Sequence, residues 1–452
     1  MGMDDRSLER SEAVLTRENG AIGSSMKIRF YPFVVASGSG NRLTDPDGNQ
    51  YLDFIAAGGV AQAGYGHPIV REAIVAELDR SWSNMHCCYP NGRTTELAER
   101  LCERLPGDFD KKAWFGATGS DANDCLFKLV PLATGRPRMI TFVGAYHGQT
   151  TGSASLSGHQ TQARIGGAPT VTKVPYPYPY RCQFGPCSPD ECSLKCLRFI
   201  EDYALRAVSP ADQTAAVLME PMQSDGGDVL PPDNFIPALR DLCDREGIWL
   251  LFDEVKTGMG RTGRFFAFEH TGVQADAVSM GKPLGGGLPL SAVLGRRELL
   301  DADAFALYTL GGSPVPAAAG LATLDVIERE ALIANAEKMG ARLLEGLRAL
   351  MDDHALIGDV RGRGLMLGME LVRSRETREP AGREAAMLAY RCFELGLLVI
   401  YCGLDGNVIE MTPPLTLTEP DVDEGLRILD RALADVEAGT VDASKVDRFA
   451  GW

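Results

Sequence analysis

Short apolar runs alternate along the chain with stretches in which apolar residues recur every three or four positions. That alternation predicts an α/β protein in which a mostly parallel sheet is layered by helices. Candidate strands are residues 139–142, 215–219, 249–252 and 277–280. Between the second and third, residues 234–246 place Phe235, Leu239 and Leu242 at helical spacing and stop at Gly247. Those three segments read as a βαβ unit. A further helix is expected over 124–132, and no internal repeat or low-complexity tract interrupts the pattern.

Residues 175–180 alternate proline with tyrosine, which excludes a helix interior there. With the four cysteines that follow, 175–197 reads as an extended surface insertion. Beyond about residue 315 the texture changes to a long helical region, 316–351, then a strand pattern over 360–371 and a helix near 385–395. These predict a second, smaller α+β domain. The N-terminal segment is expected to join it, its residues 41–54 reading as a hairpin around Asp47-Gly48. The expected divisions are 1–65, a large domain over 66–315, and 316–452.

Composition narrows the function. Hydrophobic residues make up 45% and charged residues 23% of the 452, which suits a globular chain rather than a disordered one. Lys and Arg number 45 against 61 Asp and Glu, a net charge of −16, so neither nucleic acid nor an anionic membrane is an expected partner. No apolar run approaches the roughly 20 residues of a membrane helix, and the start, Met1-Gly-Met-Asp-Asp-Arg6, lacks the basic and apolar regions of a secretion signal. A cytoplasmic enzyme acting on a small molecule is expected. Its 11 cysteines are then reduced thiols by default.

The chemistry concentrates at strand ends. Trp249-Leu-Leu-Phe-Asp-Glu-Val-Lys256 puts two carboxylates at the carboxyl edge of a parallel sheet, where ligands of such folds bind. Lys282 follows 29 residues after Asp253 in a glycine-rich turn, Ser279-Met-Gly-Lys-Pro-Leu-Gly-Gly-Gly287. A lysine desolvated there becomes nucleophilic toward a carbonyl, and a carboxylate beside it can keep a pyridine nitrogen protonated, as pyridoxal phosphate requires. An ordinary Asp253–Lys282 ion pair has the same spacing. Upstream, Phe115-Gly-Ala-Thr-Gly-Ser-Asp-Ala-Asn123 leads into a helix whose first amides suit a phosphate, with Thr118 and Ser120 adding hydroxyls. Tyr146, in Gly144-Ala-Tyr-His-Gly148, can stack on a flat ring or simply fill the core. Gly258-Met-Gly-Arg-Thr-Gly263 matches a dinucleotide-binding pattern, but no helix cap or helical period follows, so it reads as a turn.

Taken in order, Gly-Ser-Asp-Ala-Asn, Tyr-His-Gly, Glu220-Pro-Met-Gln-Ser-Asp-Gly-Gly227, Asp-Glu-Val, the Gly-Lys turn and Thr309-Leu-Gly-Gly-Ser-Pro314 resemble the class-III pyridoxal-phosphate aminotransferases of fold type I. The resemblance spans nearly the whole chain. It implies that Lys282 forms the Schiff base with the cofactor, Asp253 pairs with the ring nitrogen and Tyr146 stacks on the ring. It further implies that Gln223 approaches the ring hydroxyl and that Gly119 and Ser120 hold the phosphate. Thr309 would reach the phosphate of a neighbouring subunit, so a homodimer with shared active sites is implied.

Departures from the family pattern refine the reaction. In 4-aminobutyrate-type members one arginine follows the aromatic-His-Gly motif and another lies before a C-terminal Pro-Leu-Thr segment, where both clamp carboxylates. Here those positions are Gln149 and Glu410, the latter in Gly406-Asn-Val-Ile-Glu-Met-Thr-Pro-Pro-Leu415. Lys256 and Asp225 likewise stand where such members carry glutamine and glutamate. These departures resemble a racemase subgroup that acts on α-amino-ε-caprolactam and α-amino acid amides, and the likeness extends to Gly20-Ala-Ile-Gly23, Lys27-Ile-Arg-Phe30 and Phe449-Ala-Gly-Trp452. A neutral amide tolerates Glu410 where a carboxylate is repelled. The subgroup implies proton exchange on both faces of the α-carbon, by Tyr146 on one and a water activated by Asp225 on the other, with Lys256 nearby and Lys282 as an alternative base. Asp225 and Lys256 can equally form a structural salt bridge. Where the subgroup has a pocket tryptophan, this chain runs Ala56-Ala-Gly-Gly59, and Gly58 in its place implies a bulkier substrate. A transaminase with an unusual acceptor and a free amino acid racemase are the alternatives.

None of this chemistry needs a metal. Cys182, Cys187, Cys192 and Cys196 nonetheless fall within 15 residues, and a tetrahedral zinc site, free thiols or a surface disulfide all remain open to them.

Overall fold

Where both faces are covered, the apolar runs become strands. Seven of them build one sheet: β1 (Lys111–Gly116), β2 (Arg138–Phe142), β3 (Val171–Val174), β4 (Thr214–Met219), β5 (Trp249–Asp253), β6 (Ala277–Met280) and β7 (Ser291–Arg296). Their spatial order is β3-β2-β4-β5-β6-β7-β1. The first five are parallel, and β7 runs antiparallel to both of its neighbours. All six residues of β4 are buried, as expected of a parallel strand with helices on both faces. Met219 pairs with Phe252, and Asp253 with Ser279, so the carboxyl ends of β4, β5 and β6 share one edge.

This computed structural model describes residues 6–81, 83–303, 306–449 and 451. The first five residues, and Ala450 and Trp452 of the C-terminal motif, lie outside the described residues. The chain divides into two compact units, Pro68–Ile333, and both termini together, Met1–His67 with Ala334–Trp452.

In the central unit, the helix α1 (Gly119–Thr134) starts five residues before the expected position. Thr118 is its N-cap, and a reciprocal pair with Asp121 satisfies amides at both ends of the first turn. Gly119 and Ser120 therefore open the helix. The expected surface insertion is corrected over its first part, while residues 183, 184, 186 and 188–191 are exposed. No residue of 175–180 is exposed, and Tyr176 packs edge-on against Phe142 with its hydroxyl donating to Glu220 O at 3.1 Å. The cysteine segment continues into a second helix, α2 (Pro189–Arg198), capped by Ser188 and Glu191, with Cys192 and Cys196 fully buried. The prolines exclude a helix from 175–180 without keeping its tyrosines in water. The expected βαβ helix is present as α3 (Phe235–Glu246), which ends on Gly247 at φ 62. Residues 258–263 form a turn closed from Gly263 N–H to Gly260 O at 3.0 Å, and no long helix follows. The expected single helical region 316–351 is two helices, α4 (Pro314–Arg329) and Leu332–Asp353, parted where Ala331 takes φ +52.

In the terminal unit, Arg42–Thr44 and Gln50–Asp53 pair as the expected hairpin, its turn held by Asp45 accepting from Asp47 N–H and Asn49 N–H. The 360–371 pattern resolves into two antiparallel strands, Ile357–Arg363 and Met366–Ser374. They continue through Val408–Met411 to Ile400–Cys402, and the expected helix spans Gly382–Leu395. Among the described residues no helix is long and apolar enough to cross a membrane.

Candidate active site

Asp253 ends β5 with 4% of its surface exposed. Its Oδ2 accepts from Asn123 Nδ2 at 2.7 Å and lies 2.7 Å from His147 Nδ1, while Oδ1 accepts from Val255 N–H at 3.0 Å. The carboxylate is thus held in one orientation by α1, by the loop after β2 and by its own strand exit. Asn123 also donates to His147 O at 2.8 Å, and Ser157 Oγ accepts from His147 N–H at 2.8 Å.

Glu220 closes β4 in the same way. Its Oε2 accepts from Tyr146 N–H, and its Oε1 from Ser224 N–H and Oγ–H. Burial pushes its carboxyl up to about 7; the His147 imidazole opposes this, and the charges of Asp253 and Asp225 reinforce it. Tyr146 is bounded on its other side by Gln149, whose Nε2 donates to the phenol oxygen at 3.0 Å. Burial raises the Tyr146 phenol above its ordinary range, Gln149 lowers it and the Asp225 charge raises it further.

Lys282 leaves β6 through Gly281 and has φ +39, a conformation that costs a side-chain-bearing residue about 1–3 kcal/mol and clusters at functional sites. A Cβ on Gly281 would lie 3.3 Å from Gly119 N. The lysine turn therefore passes directly against the start of α1, whose first amides have no acceptor within the helix.

Of the expected site residues, Gly119, Ser120, Tyr146, Asp253, Lys256 and Lys282 line one cavity. Asn123, His147, Glu220 and Ser224 line it as well, although nothing local in the sequence assigns them a role. Asn123 lies one helical turn beyond Gly119, a spacing that could have placed it on the same face. Gln223 and Asp225 are buried beside the cavity without lining it. Gln223 pairs with Val229 through its backbone and donates from Nε2 to Val143 O at 2.9 Å, whereas Asp225 acts electrostatically on Tyr146 and His159. Thr118 is exposed and its hydroxyl is used in the cap, accepting from Asp121 N–H. Thr309 sits in an exposed turn. Gly58 and Glu410 belong to the terminal unit, where Gly58 has φ +72 and Glu410 is buried on Val408–Met411 opposite Gly368 and Ile400.

A larger cavity of about 590 Å³ lies within the terminal unit. Five of its charged groups pair with one another, Arg391 with Glu394 and Asp435 at 2.9 Å each, Lys445 with Glu394 and Arg431 with Asp435, so size alone does not mark it as the reactive site. The smaller cavity combines a fixed carboxylate, a strained lysine, a phenol and a helix N-terminus. That set fits pyridoxal phosphate: a carboxylate for the ring nitrogen, an amine for the aldehyde, an aromatic face and amides for the phosphate.

The aminotransferase class-III family matches residues 24–433. The chain is 38% identical to leucine/methionine racemase of Thermococcus litoralis over 98% of its own length and 100% of the relative's. It is 37% identical to alanine/serine racemase of Pyrococcus horikoshii over 97% and 93%. A PLP-bound amine transaminase from an uncultivated Pseudomonas species superposes with a TM-score of 0.83 at 32% identity, covering 92% of this chain and 96% of that one. The chain belongs to the class-III aminotransferase family of fold type I enzymes, and its cofactor is pyridoxal phosphate.

Proposed function

We propose that the protein is a racemase inverting the α-carbon of α-amino acid amides and lactams, α-amino-ε-caprolactam among them. The observation that carries this reading is the charge at two sequence positions: Gln149 and Glu410 stand where carboxylate-binding members of the family have arginine. A glutamate repels a carboxylate and accepts an amide N–H. Similarity to two racemases over almost the full length supports racemisation as the reaction. Those relatives are named for free amino acids, which favours a free amino acid racemase as the second reading. Gly58, with no side chain to fill the position, leaves room for a bulky substrate.

Pyridoxal phosphate supplies an electron sink that acidifies the substrate's α-proton. Asp253, fixed by Asn123 and His147, would hold a proton on the ring nitrogen. The amides of Gly119 and Ser120 would bind the phosphate, Tyr146 would cover the ring and Gln223 would approach its hydroxyl. Racemisation needs a proton donor and acceptor on each face of the α-carbon. Lys282 Nζ serves one face. Tyr146 Oη serves the other, oriented by Gln149 and acted on by the Asp225 charge, with Lys256 lining the same cavity. The active unit is read as a homodimer in which Thr309 completes the neighbour's phosphate site.

The deciding experiment follows α-proton exchange in deuterium oxide with pyridoxal phosphate and no keto acid, offering L-amino acid amides, the lactam and free amino acids in parallel. Exchange with loss of enantiomeric excess on amide or lactam supports the proposal. The same result confined to free amino acids transfers it to the second reading. Turnover that stops after one equivalent and restarts on adding a keto acid makes the protein a transaminase.

A further inference from the structure

Three cysteine sulfurs converge outside the active site. The ligand atoms of Cys182, Cys187 and Cys192 all lie within 4.8 Å of one another, although the residues come from three local structures. Cys182 caps the short turn Pro179–Arg181, and the chain reverses after it through Gly185, at φ +88, whose N–H bonds Cys182 O at 3.0 Å. Cys187 immediately precedes the N-cap Ser188. Cys192 is in the first turns of α2, its N–H bonded to Ser188 O at 2.9 Å. The reversal and the capping box together aim the three thiols at one point. Cys196 follows one helical turn after Cys192 on the same face of α2; it is fully buried, and its sulfur accepts from Gln183 Nε2 at 3.6 Å.

We propose that Cys182, Cys187 and Cys192, with Cys196 as fourth ligand, hold a structural zinc ion. Zinc–thiolate bonds of about 2.3 Å in a tetrahedron place sulfurs about 3.8 Å apart, a separation these three reach with a small inward movement. A disulfide needs sulfurs about 2.05 Å apart and joins only two of them, leaving the convergence of the third unexplained. Four sulfur ligands in a tetrahedral set select zinc or an iron–sulfur cluster among common metals. Zinc, which carries no redox chemistry, suits a site that fastens a structural segment. Binding releases the thiol protons to solvent and involves no change of oxidation state. The ion would fasten the 175–197 segment, whose Tyr176 hydroxyl reaches the backbone oxygen of Glu220 beside the active site.

The test uses holoenzyme purified without chelator under reducing conditions. Elemental analysis is expected to give about one zinc per chain, retained through dialysis and released stoichiometrically when a mercurial modifies the four thiols. In Cys182→Ser/Cys187→Ser the retained zinc is expected to fall at least tenfold. Should that variant fail to fold, release from the parent protein decides. Parent protein that holds no zinc and takes none up after reduction overturns the proposal. So does iron accompanied by visible absorption, or a chain lighter by two hydrogens that regains them on reduction.

Discussion

Two buried glutamates end up with carboxyls pushed up to about 7, and only one of them faces the cavity. Glu254, next after β5, is the simpler case. Burial raises it, against hydrogen bonds from the Thr257 hydroxyl and the Phe268 N–H. Between about pH 4.5 and about pH 7 the folded chain keeps this proton while the unfolded chain releases it. The contribution to stability is therefore complete at low pH and falls as pH rises through that window, by about 3 kcal/mol if the full shift is expressed. Glu254→Gln should remove this dependence. The difference in unfolding midpoint between variant and parent is expected to shift in the variant's favour from pH 4.5 to pH 7.5; parallel curves would contradict the raised carboxyl. At this scale the sequence is legible in part. Asp253 and Lys282 stand out because a carboxylate at a strand exit and a lysine in a glycine turn each imply chemistry locally. His147 and Asn123 carry no such mark, since their role depends on meeting Asp253 across 106 and 130 residues of chain, and spacing cannot specify which distant pairs meet.

Elements are most legible in the sequence where a single periodicity runs uninterrupted. β6 spans 277–280 as expected, and α3 lies between its cap and Gly247. Elements are illegible where neighbours decide the outcome. Proline excludes helix from 175–180, but whether the intervening tyrosines face water depends on Phe142 and Glu220. The break at Ala331 is invisible because alanine is the best helix former, and only tertiary packing can impose a positive φ there. The start of α1 was legible in principle from Thr118-x-x-Asp121, and it gives an element-scale prediction. Asp121 Oδ2 accepts from Ala117 N–H at 2.9 Å and Thr118 N–H at 2.8 Å. Asp121→Ala should therefore cost about 1–2 kcal/mol of stability and loosen the amides that meet the phosphate. Fluorescence titration is expected to show pyridoxal phosphate affinity reduced several-fold, with the absorbance of the lysine-bound cofactor unchanged at saturation. Unaltered affinity would separate the cap from the phosphate site.

At the scale of the whole molecule, the stretch leading into α4 is both apolar and exposed. Leu307, Tyr308 and Leu310 are 53%, 40% and 60% exposed and surround Thr309, while Leu307 and Tyr308 also line a cavity of about 390 Å³ with Phe127 and Lys128. Exposed apolar side chains this close together are expected to be covered by a second copy of the chain. Copies carrying −16 each repel at low salt, so association must come from apolar burial. Light scattering is expected to give twice the 48.7 kDa chain mass, with Leu310→Asp shifting the protein toward monomer and weakening cofactor retention. Sharing of the sites has its own signature. Lys282→Ala is inactive in its own site, and Thr309→Ala should weaken the phosphate site of its neighbour. When the two variants are mixed and reassembled, one site of each hybrid carries both defects and the other carries neither. If Thr309 acts across the interface, the hybrid recovers one site of parental cofactor affinity that neither variant has alone. If it acts within its own chain, the only lysine-bearing site keeps the Thr309 defect and no recovery follows. A 48.7 kDa monomer with parental affinity would remove both the interface and the shared site.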